Sequence, residues 1–240
     1  MVEPKIFIAT PTMRPPNAWT YNSWGYNLWQ LGKVGVDILP PRTYENYPLS
    51  HARNEMVREF LESDATHLLS WDVDQVFYVD TVLRLLSSNK PVVSGFYLAR
   101  NPEKVGTIVV FKRGDTEKLC DYTHFNTYKP YSPKELFTLP RVENDGMEPL
   151  VQVDGVGMGC ILFQREVFEN LRKPYFLEWS PVMPSDVHYF GEDLWFGDVL
   201  AEAGIPIYVN LACFVGHEVT TVLDDNYLKR QLLAVGARFS

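Results

Sequence analysis

The sequence lacks an excess of positive charge, and this absence limits its partners. Its 22 Lys and Arg residues stand against 30 Asp and Glu residues, which gives a formal net charge of -8. Binding to nucleic acid or to an anionic membrane through overall surface charge requires a basic face. We therefore expect no nucleic-acid partner, and any phosphate group that the protein binds must be held by a few local side chains.

Paired cysteines, a leader and long apolar runs are absent as well. The three cysteines, Cys120, Cys160 and Cys213, are odd in number and far apart, which does not match a zinc site or a disulfide framework. The apolar stretch at residues 6–9 is too short for a signal segment. No apolar run approaches the roughly 18 residues of a membrane span. These absences predict a cytoplasmic protein without a transmembrane segment and leave peripheral membrane contact open.

The residues that are present favour one α/β domain. A chain of 240 residues, 46% of them hydrophobic, can build one sizeable core. Strand patterns at residues 5–10, 36–39, 66–71 and 91–95 alternate with helix patterns at 21–32, from 49 onward and at 81–88. Such alternation is typical of a mainly parallel sheet, whose ligands lie beyond the carboxyl ends of the strands. In the first helix Trp24, Leu28 and Leu31 have helical spacing and are predicted to face the core.

An acidic pair ends the third strand pattern, where residues 66–74 form an apolar run that finishes in Asp72 and Asp74. Alternate residues of a strand project to the same side, so the two carboxylates can converge on one ligand. Two like charges this close resist joint ionisation unless a cation lies between them. The pair therefore predicts a divalent-metal site at the exit of a strand.

Two more groups of candidate ligand residues lie in the first half of the chain. Thr10 and Thr12 belong to the loop that follows the first strand. Ser50 is a good N-cap for the second helix, whose first turn would then present Arg53 and Asn54. Free N–H groups and the positive dipole end suit a diphosphate there. The alternative, in which Arg53 lies on a solvated helix face, is equally compatible with this stretch.

The middle of the chain breaks the alternation of strands and helices. Residues 106–113 are typical of one arm of a β-hairpin, and a long stretch rich in Pro and Tyr follows. Long loops in compact domains are usually functional or mobile. The aromatic side chains of this stretch would either stack on a sugar ring or, the better supported role, pack the loop itself: Tyr122, His124, Phe125, Tyr128 and Tyr131.

A glycine-rich entry to a strand follows, with Gly155, Gly157 and Gly159 at every second position. Glycine lets the backbone approach a ligand or another strand closely. The spacing differs from the G-x-G-x-x-G fingerprint of dinucleotide sites.

The last candidates are Glu192 and Asp193, which begin a helix pattern, and His217, which follows an apolar run. Acids are favoured at helix N-termini for structural reasons alone. A neutral imidazole is a common metal ligand, although a single His is usually structural.

The order of these motifs resembles that of the GT-A fold nucleotide-sugar glycosyltransferases, the family-2-like group that contains a DxD motif. The resemblance spans about residues 5–218 and is strongest at the Asp72/Asp74 pair, at Glu192-Asp193 and at Gly216-His217. It implies one α/β, Rossmann-like domain over residues 1–240, with a mainly parallel sheet flanked by helices, a β-hairpin insertion and a C-terminal helix at about 224–239. The nucleotide-binding half would be 5–95, the insertion 96–153 and the acceptor and catalytic half 154–240.

The resemblance also implies roles for the donor side of the site. Asp74 would bind a Mn²⁺ or Mg²⁺ ion that bridges the donor diphosphate, Asp72 would contact the ribose or the metal's shell, and His217 would be a further ligand of the metal or the diphosphate. The residues that would line the nucleotide or the transferred sugar are Thr10, Thr12, Arg53, Asn54, Gly157 and Gly159. Carboxylate oxygens favour Mg²⁺ or Mn²⁺, and an imidazole shifts the preference toward Mn²⁺.

For the reaction, the resemblance implies that Asp193 deprotonates the acceptor, with Glu192 as its neighbour or substitute. The expected activity is transfer of a sugar from a nucleotide-diphosphate donor, UDP- or GDP-linked, to the hydroxyl group of a glycan, a lipid-linked molecule or a small molecule. A nucleotidyltransferase of related fold is disfavoured, because no basic, Gly-rich triphosphate loop follows the first strand. A non-catalytic carbohydrate- or nucleotide-binding module is the other alternative, which the aromatic loop would suit.

Overall fold

An eight-stranded mixed sheet forms the centre of the protein. The structure is a computed structural model that describes residues 3–45, 47–99, 107–120, 123–143, 148–178 and 191–218. At 115–120 and 123–127 it describes the backbone alone. The strands are β1 (Lys5–Thr12), β2 (Asp37–Ile38), β3 (Arg42–Glu45), β4 (His67–Trp71), β5 (Gln75–Val76), β6 (Val92–Phe96), β7 (Val110–Cys120), β8 (Thr123–Pro130), β9 (Leu150–Val153), β10 (Gly155–Val156), β11 (Cys160–Gln164), β12 (Ile207–Phe214) and β13 (Gly216–His217). The helices are α1 (Ala18–Lys33), α2 (Leu49–Glu62), α3 (Thr81–Ser87), α4 (Pro133–Thr138), α5 (Arg165–Glu169) and α6 (Glu192–Glu202).

The strand order of the central sheet is β2-β1-β4-β11-β6-β12-β9, and β3 also pairs with β1. β1 runs parallel to β2, β3 and β4, and β6 runs parallel to β12. β11 lies antiparallel between β4 and β6, and β9 is antiparallel to β12. The prediction of a mainly parallel sheet is confirmed. Because β11 runs in the opposite direction, its first residue, Cys160, lies beside Trp71 at the carboxyl end of β4.

Helices flank the sheet on both faces, which also confirms the α/β class. In β1, Ile6 and Ile8 join the core that packs against α1 and α3, whereas Phe7 and Ala9 join the core against α2, α5 and α6. This alternation follows from the two-residue period of a strand. The sheet is therefore buried on both sides, and its polar chemistry is confined to the ends of the strands.

The acidic pair lies just beyond β4 rather than within it. The Asp72 N–H donates to the Gly159 carbonyl at 3.0 Å, and the Gln75 N–H donates to the Asp72 carbonyl at 3.2 Å, which closes a turn between β4 and β5. The acidic pair is thus at the exit of a strand, as predicted, and its binding of a metal stays a prediction. The expectation that the two acids share one side of a regular strand is wrong, because the turn redirects the chain after Trp71.

The sequence predicts two helix caps, Ser50 for α2 and Asp80 for α3, and they have different outcomes. α2 begins at Leu49 after Pro48, which has a φ of -52° that its ring fixes, so Ser50 lies inside the helix and does not cap it. Asp80 occupies the N-cap position of α3 without a capping hydrogen bond. Its ψ of 8° departs from the extended backbone that lets a cap side chain reach forward, and its carboxylate accepts from Arg84 Nε at 2.8 Å instead.

The inserted hairpin is confirmed from Val110 onward, where β7 pairs antiparallel with β8 and with β10. Tyr128 of the aromatic stretch is buried and donates its hydroxyl hydrogen to Asp198 Oδ1 at 2.7 Å. Arg113 donates to the same oxygen at 2.7 Å and ties the hairpin to α6. For Tyr128 the packing role is therefore the correct one. Tyr122 and the side chains of His124 and Phe125 lie outside the described residues.

The structure does not test two further predictions, the C-terminal helix and the division into three segments. The C-terminal helix at 224–239 lies outside the described residues, and the division into 5–95, 96–153 and 154–240 stays a prediction. Among the described residues, no helix has both the length and the apolar character needed to cross a membrane.

Candidate active site

A buried arginine joins three elements at the carboxyl end of β4. Arg53 of α2 is only 3% exposed. Its Nε donates to Glu192 Oε1 at 3.0 Å, and its terminal nitrogens donate to Ser70 Oγ at 3.0 Å and to Asp72 Oδ1 at 3.3 Å. Burial alone would lower the pKa of Arg53, but the charges of Asp72 and Glu192 outweigh burial and raise it. The guanidinium therefore stays charged and fixes the positions of two carboxylates.

This geometry rules out one of the two interpretations of Arg53. The side chain lies on the buried face of α2 with Met56 and Val57, so the solvated-face alternative is wrong. Three side chains already accept from the guanidinium. A direct contact between Arg53 and a donor diphosphate stays a prediction.

Asp74 and His217 form the second pair of the site. β13 pairs antiparallel with β5, so His217 lies opposite Gln75 and next to the acidic turn. His217 Nε2 is 3.7 Å from Asp74 Oδ1, and His217 Nδ1 is 2.8 Å from the carbonyl oxygen of Leu98. Since a carbonyl oxygen only accepts, Nδ1 carries the hydrogen, and the lone pair of a neutral imidazole is then on Nε2, toward Asp74.

These two donors fit a divalent cation. A ring nitrogen that donates to a backbone carbonyl is the usual support for a metal-ligating histidine. Mg²⁺ holds its ligands about 2.1 Å away in octahedral geometry, so adjacent ligands are about 3.0 Å apart and opposite ligands about 4.2 Å. The 3.7 Å between His217 Nε2 and Asp74 Oδ1 lies between these distances, so a bound ion would shift the two side chains slightly. Mg²⁺ commonly takes one or two protein ligands and completes its shell with phosphate oxygens and water.

The complete predicted ligand set does not come together as a cluster. In the described ranges, no three His, Cys, Asp or Glu side chains are grouped as a metal site. Asp74 and His217 are adjacent, whereas Asp72 turns to Arg53. Asp72 as a metal ligand therefore stays a prediction, and its ion pair with Arg53 is the contact that the structure describes.

Asp193 is a carboxylic acid of the site whose pKa is raised above its ordinary value. Its Oδ1 accepts from the Leu194 N–H at 2.8 Å, in the first turn of α6. Burial, and then the neighbouring charge of Glu192, raise the pKa of Asp193 to about 7. Glu192 is held by Arg53, so the two neighbouring acids have different surroundings. A carboxyl group that titrates near neutral pH is suited to accept a proton from a hydroxyl group.

The glycine-rich entry to β11 packs against Tyr97, a residue that the sequence did not single out. The Gly159 N–H donates to the Tyr97 hydroxyl at 3.1 Å. A Cβ at Gly157 would collide with the same hydroxyl and lie 2.7 Å from Val109 Cγ1. Burial and the charge of Asp72 raise the pKa of Tyr97 above its ordinary value, so the hydroxyl stays neutral. Close packing against Tyr97, which follows β6, therefore explains why Gly157 and Gly159 have no side chain. A position of these glycines beside the transferred sugar stays a prediction.

Thr10 and Thr12 lie at the end of β1, where the predicted loop is an extension of the strand. Thr10 is buried opposite Thr43 of β3. The Thr12 hydroxyl accepts from the Arg14 N–H at 3.0 Å and donates to the Arg14 carbonyl, which closes a small turn. The hydroxyl of Thr12 thus has a local structural role, and nucleotide contact by either threonine stays a prediction.

Arg14 then links this turn to the acidic pair. Its two terminal nitrogens lie 3.3 Å from the two carboxylate oxygens of Glu218. The Glu218 N–H donates to the Asp74 carbonyl at 2.8 Å. Sequence reasoning missed this contact because the partners are 204 residues apart.

Asn54 supports a neighbouring segment. Its amide group donates to the carbonyls of Ser50 and Phe176 at 2.8 and 2.7 Å. Its Oδ1 accepts from the N–H groups of Tyr175 and Phe176 at 3.0 and 3.3 Å. Three of these four hydrogen bonds hold residues 175–176 against α2, and a role of Asn54 in nucleotide binding stays a prediction.

Ser70 is a site residue that the sequence pattern could have identified. It precedes Asp72 by two positions and lies in β4, whose alternation places it toward the same region. Its hydroxyl accepts from Arg53 and donates to the Met158 carbonyl at 3.0 Å. Ser70 therefore connects the buried arginine to the glycine-rich entry of β11.

The fold, with its acidic turn beside an antiparallel strand, is glycosyltransferase-like and of the GT-A type. No protein-family model and no curated protein sequence matches the chain. Two solved structures that match are A197 from STIV and GalNAc-T7 with UDP, GalNAc and Mn²⁺. A197 is 16% identical with a TM-score of 0.53, over 90% of this chain and 86% of that one. GalNAc-T7 is 11% identical with a TM-score of 0.53, over 97% of this chain and 48% of that one, so the chain spans about half its length. At these identities the comparisons show the fold.

Proposed function

We propose that the protein is a metal-dependent glycosyltransferase that moves a sugar from a nucleotide-diphosphate donor to a hydroxyl acceptor. The observation that carries this proposal is the meeting of two chemically distinct groups around Tyr97. The Tyr97 ring lies 5.3 Å from the His217 ring of the Asp74/His217 pair. On the other side, Arg53 joins Asp72 to Glu192, the neighbour of Asp193, at 3.3 and 3.0 Å. A cation site and a proton acceptor within one region are what sugar transfer from a diphosphate requires.

On the donor side, Asp74 and His217 would hold Mn²⁺ or Mg²⁺, which acts as a Lewis acid on the diphosphate leaving group. The carbonyl of Leu98 orients the imidazole, and the Glu218 N–H orients the turn that carries Asp74. The similar structure of GalNAc-T7 contains UDP and Mn²⁺, which favours a UDP-sugar as the first donor to test, with a GDP-sugar next.

On the acceptor side, Asp193 would take the proton of the attacking hydroxyl group. Burial and Glu192 give its carboxyl group the near-neutral pKa that this step needs. Arg53 holds Glu192 and Asp72 in fixed positions, so it is a positioning residue. The acceptor would be a glycan, a lipid-linked molecule or a small molecule.

The test is release of nucleoside diphosphate from a panel of UDP- and GDP-sugars with and without Mn²⁺. We expect one donor to be hydrolysed or transferred only with metal, and Asp74→Asn to lower the rate by at least about 100-fold. Arg58→Gln, an exposed change on α2, is the matched control and keeps the rate. Pyrophosphate release from a nucleoside triphosphate and a sugar phosphate would show a nucleotidyltransferase instead. Donor binding without turnover would show a non-catalytic module.

A further inference from the structure

The first helix packs Trp24, Leu28 and Leu31 on the core, but it also buries polar side chains and exposes large aromatic ones. The residues that it buries include Thr20, Ser23 and Asn27, although Leu31 is buried as well. Its large exposed side chains are Trp19, Tyr21, Tyr26 and Trp29, which are 75%, 68%, 60% and 57% exposed. A surface helix normally turns its apolar side chains to the core and its polar side chains to water. We call these four aromatic residues the aromatic face of α1.

The buried polar side chains hold the helix in this orientation. Asn27 donates to the Tyr78 carbonyl at 2.8 Å and accepts from the Val82 N–H at 3.1 Å. The Ser23 hydroxyl donates to the Thr20 carbonyl at 2.9 Å. Because Asn27 fixes the rotation of α1 against α3, the outward direction of the aromatic face is a built feature of the fold.

The stretch of chain that carries the aromatic face has further exposed apolar residues and no acids. Met13, in the segment before α1, and Val34, at its C-cap, are exposed as well. Residues 4–36 contain no Asp or Glu, although the whole chain has 30 in 240 residues. The cations of this stretch include Lys33, whose ammonium lies 4.4 Å from the centre of the Trp29 ring. A large exposed apolar surface of this kind marks an interaction site.

We propose that the aromatic face of α1 binds the headgroup region of a lipid bilayer. Trp and Tyr have an apolar ring with a polar tip and are enriched at membrane interfaces for that reason. A helix with such a face lies in the plane of the interface without crossing the membrane. The stretch itself carries no negative side chain that would repel anionic headgroups. Met13 and Val34 favour a bilayer over a glycan, since aliphatic side chains add burial but no stacking surface for sugars.

The segment before α1 is tied to the candidate active site. Arg14 precedes α1 and contacts Glu218, whose N–H donates to the Asp74 carbonyl. A membrane-bound α1 would therefore be connected to the Asp74/His217 pair through this segment. The inference goes beyond the proposed function and stands without it, since membrane binding needs neither donor nor metal.

Flotation of the full chain with lipid vesicles tests the inference. The vesicles are phosphatidylcholine alone and phosphatidylcholine with phosphatidylglycerol. The test variant carries Trp19→Ala, Tyr26→Ala and Trp29→Ala. The control is Phe137→Ala, which removes a 48% exposed ring from α4 that packs on Phe96 in the core opposite α1.

We expect wild type and the control to float with both kinds of vesicle and the triple variant to lose at least about tenfold of its bound fraction. Circular dichroism checks that the triple variant is folded, and donor hydrolysis without vesicles should be unchanged in it. Wild type that stays unbound, or a triple variant that floats as wild type does, would overturn the inference. Loss of binding to an insoluble polysaccharide with unchanged flotation would also overturn it and make the face a glycan surface.

Discussion

The chemistry of the site depends at the residue scale on Arg53, which is the cation that separates its acids into two groups. Asp72 and Glu192 accept from Arg53 at 3.3 and 3.0 Å, while Asp74 lies next to His217. Without Arg53 the two partner carboxylates would be desolvated and unpaired. An arrangement of this kind is costly to interrupt, because removing one partner leaves an uncompensated buried charge.

Arg53→Met should therefore destabilise the protein by about 3–5 kcal/mol, measured by urea denaturation at pH 7. Arg58→Met is the matched control on the same helix. Arg58 contacts Glu55, Glu59 and Glu62 at the exposed surface, where ion pairs contribute little, so its replacement should hardly change the transition midpoint. Equal effects of the two changes would contradict the structural role of Arg53.

Asp193 gives a prediction about pH at the same scale. Burial and Glu192 raise its pKa from 3.8 to about 7 in the folded protein. Between these values the folded state binds more protons than the unfolded state, so this group lowers stability as the pH rises. Asp193→Asn should raise the Tm by a few degrees at pH 8 and leave it unchanged near pH 4.

The same titration sets the expected pH profile of turnover. If Asp193 accepts the acceptor proton, the rate should fall about tenfold per pH unit below pH 6, and Asp193→Asn should remove both the activity and this limb. A Tm gain at pH 8 without loss of activity would show that Asp193 has a structural role only.

Asn27 has an unexpected role at the scale of elements. The sequence predicts Asp80 as the cap of α3, but the N–H of Val82 is bound by Asn27 from α1 at 3.1 Å. One helix thus caps another, and this contact fixes the rotation that exposes the aromatic face. Because Asn27 binds the Val82 N–H, the Asp80 carboxylate is available to pair with Arg84.

Asn27→Ala should cost about 1–3 kcal/mol, because a buried N–H loses its acceptor. The measurement is urea denaturation with Asn22→Ala, an exposed change on the same helix, as the control. A cost no larger than that of the control would mean that α1 is held by its apolar contacts alone, such as the stacking of Trp24 on Trp71 at 5.0 Å.

The sequence predicted elements better than it predicted their partners. Local patterns indicated β4 with its acidic exit, α6 with Glu192 and Asp193 in its first turn, and the core position of Leu31, because these depend on nearby residues. The contact between Arg53 and Glu192 joins residues 139 apart. The antiparallel course of β11 is likewise set by packing between distant strands, which a local pattern does not encode.

At the scale of the whole molecule, this chain has a fold similar to that of a protein with a very different sequence. A197 from STIV matches 90% of this chain at 16% identity. Most side chains therefore differ while the layers of helices and sheet remain, since many apolar sequences fill a core of given shape. The proposed chemistry therefore depends on particular residues of this chain, above all on the Asp74/His217 pair.

The most direct measurement of this claim is a thermal shift with UDP and GDP, each with and without Mn²⁺. At about 100 times its dissociation constant a nucleotide should add roughly 2.7 kcal/mol of stability. We predict that one nucleotide stabilises the wild type only with Mn²⁺, and that Asp74→Asn and His217→Ala each abolish this gain while Arg58→Gln keeps it. The same stabilisation without metal, or an undiminished gain in Asp74→Asn, would contradict the account.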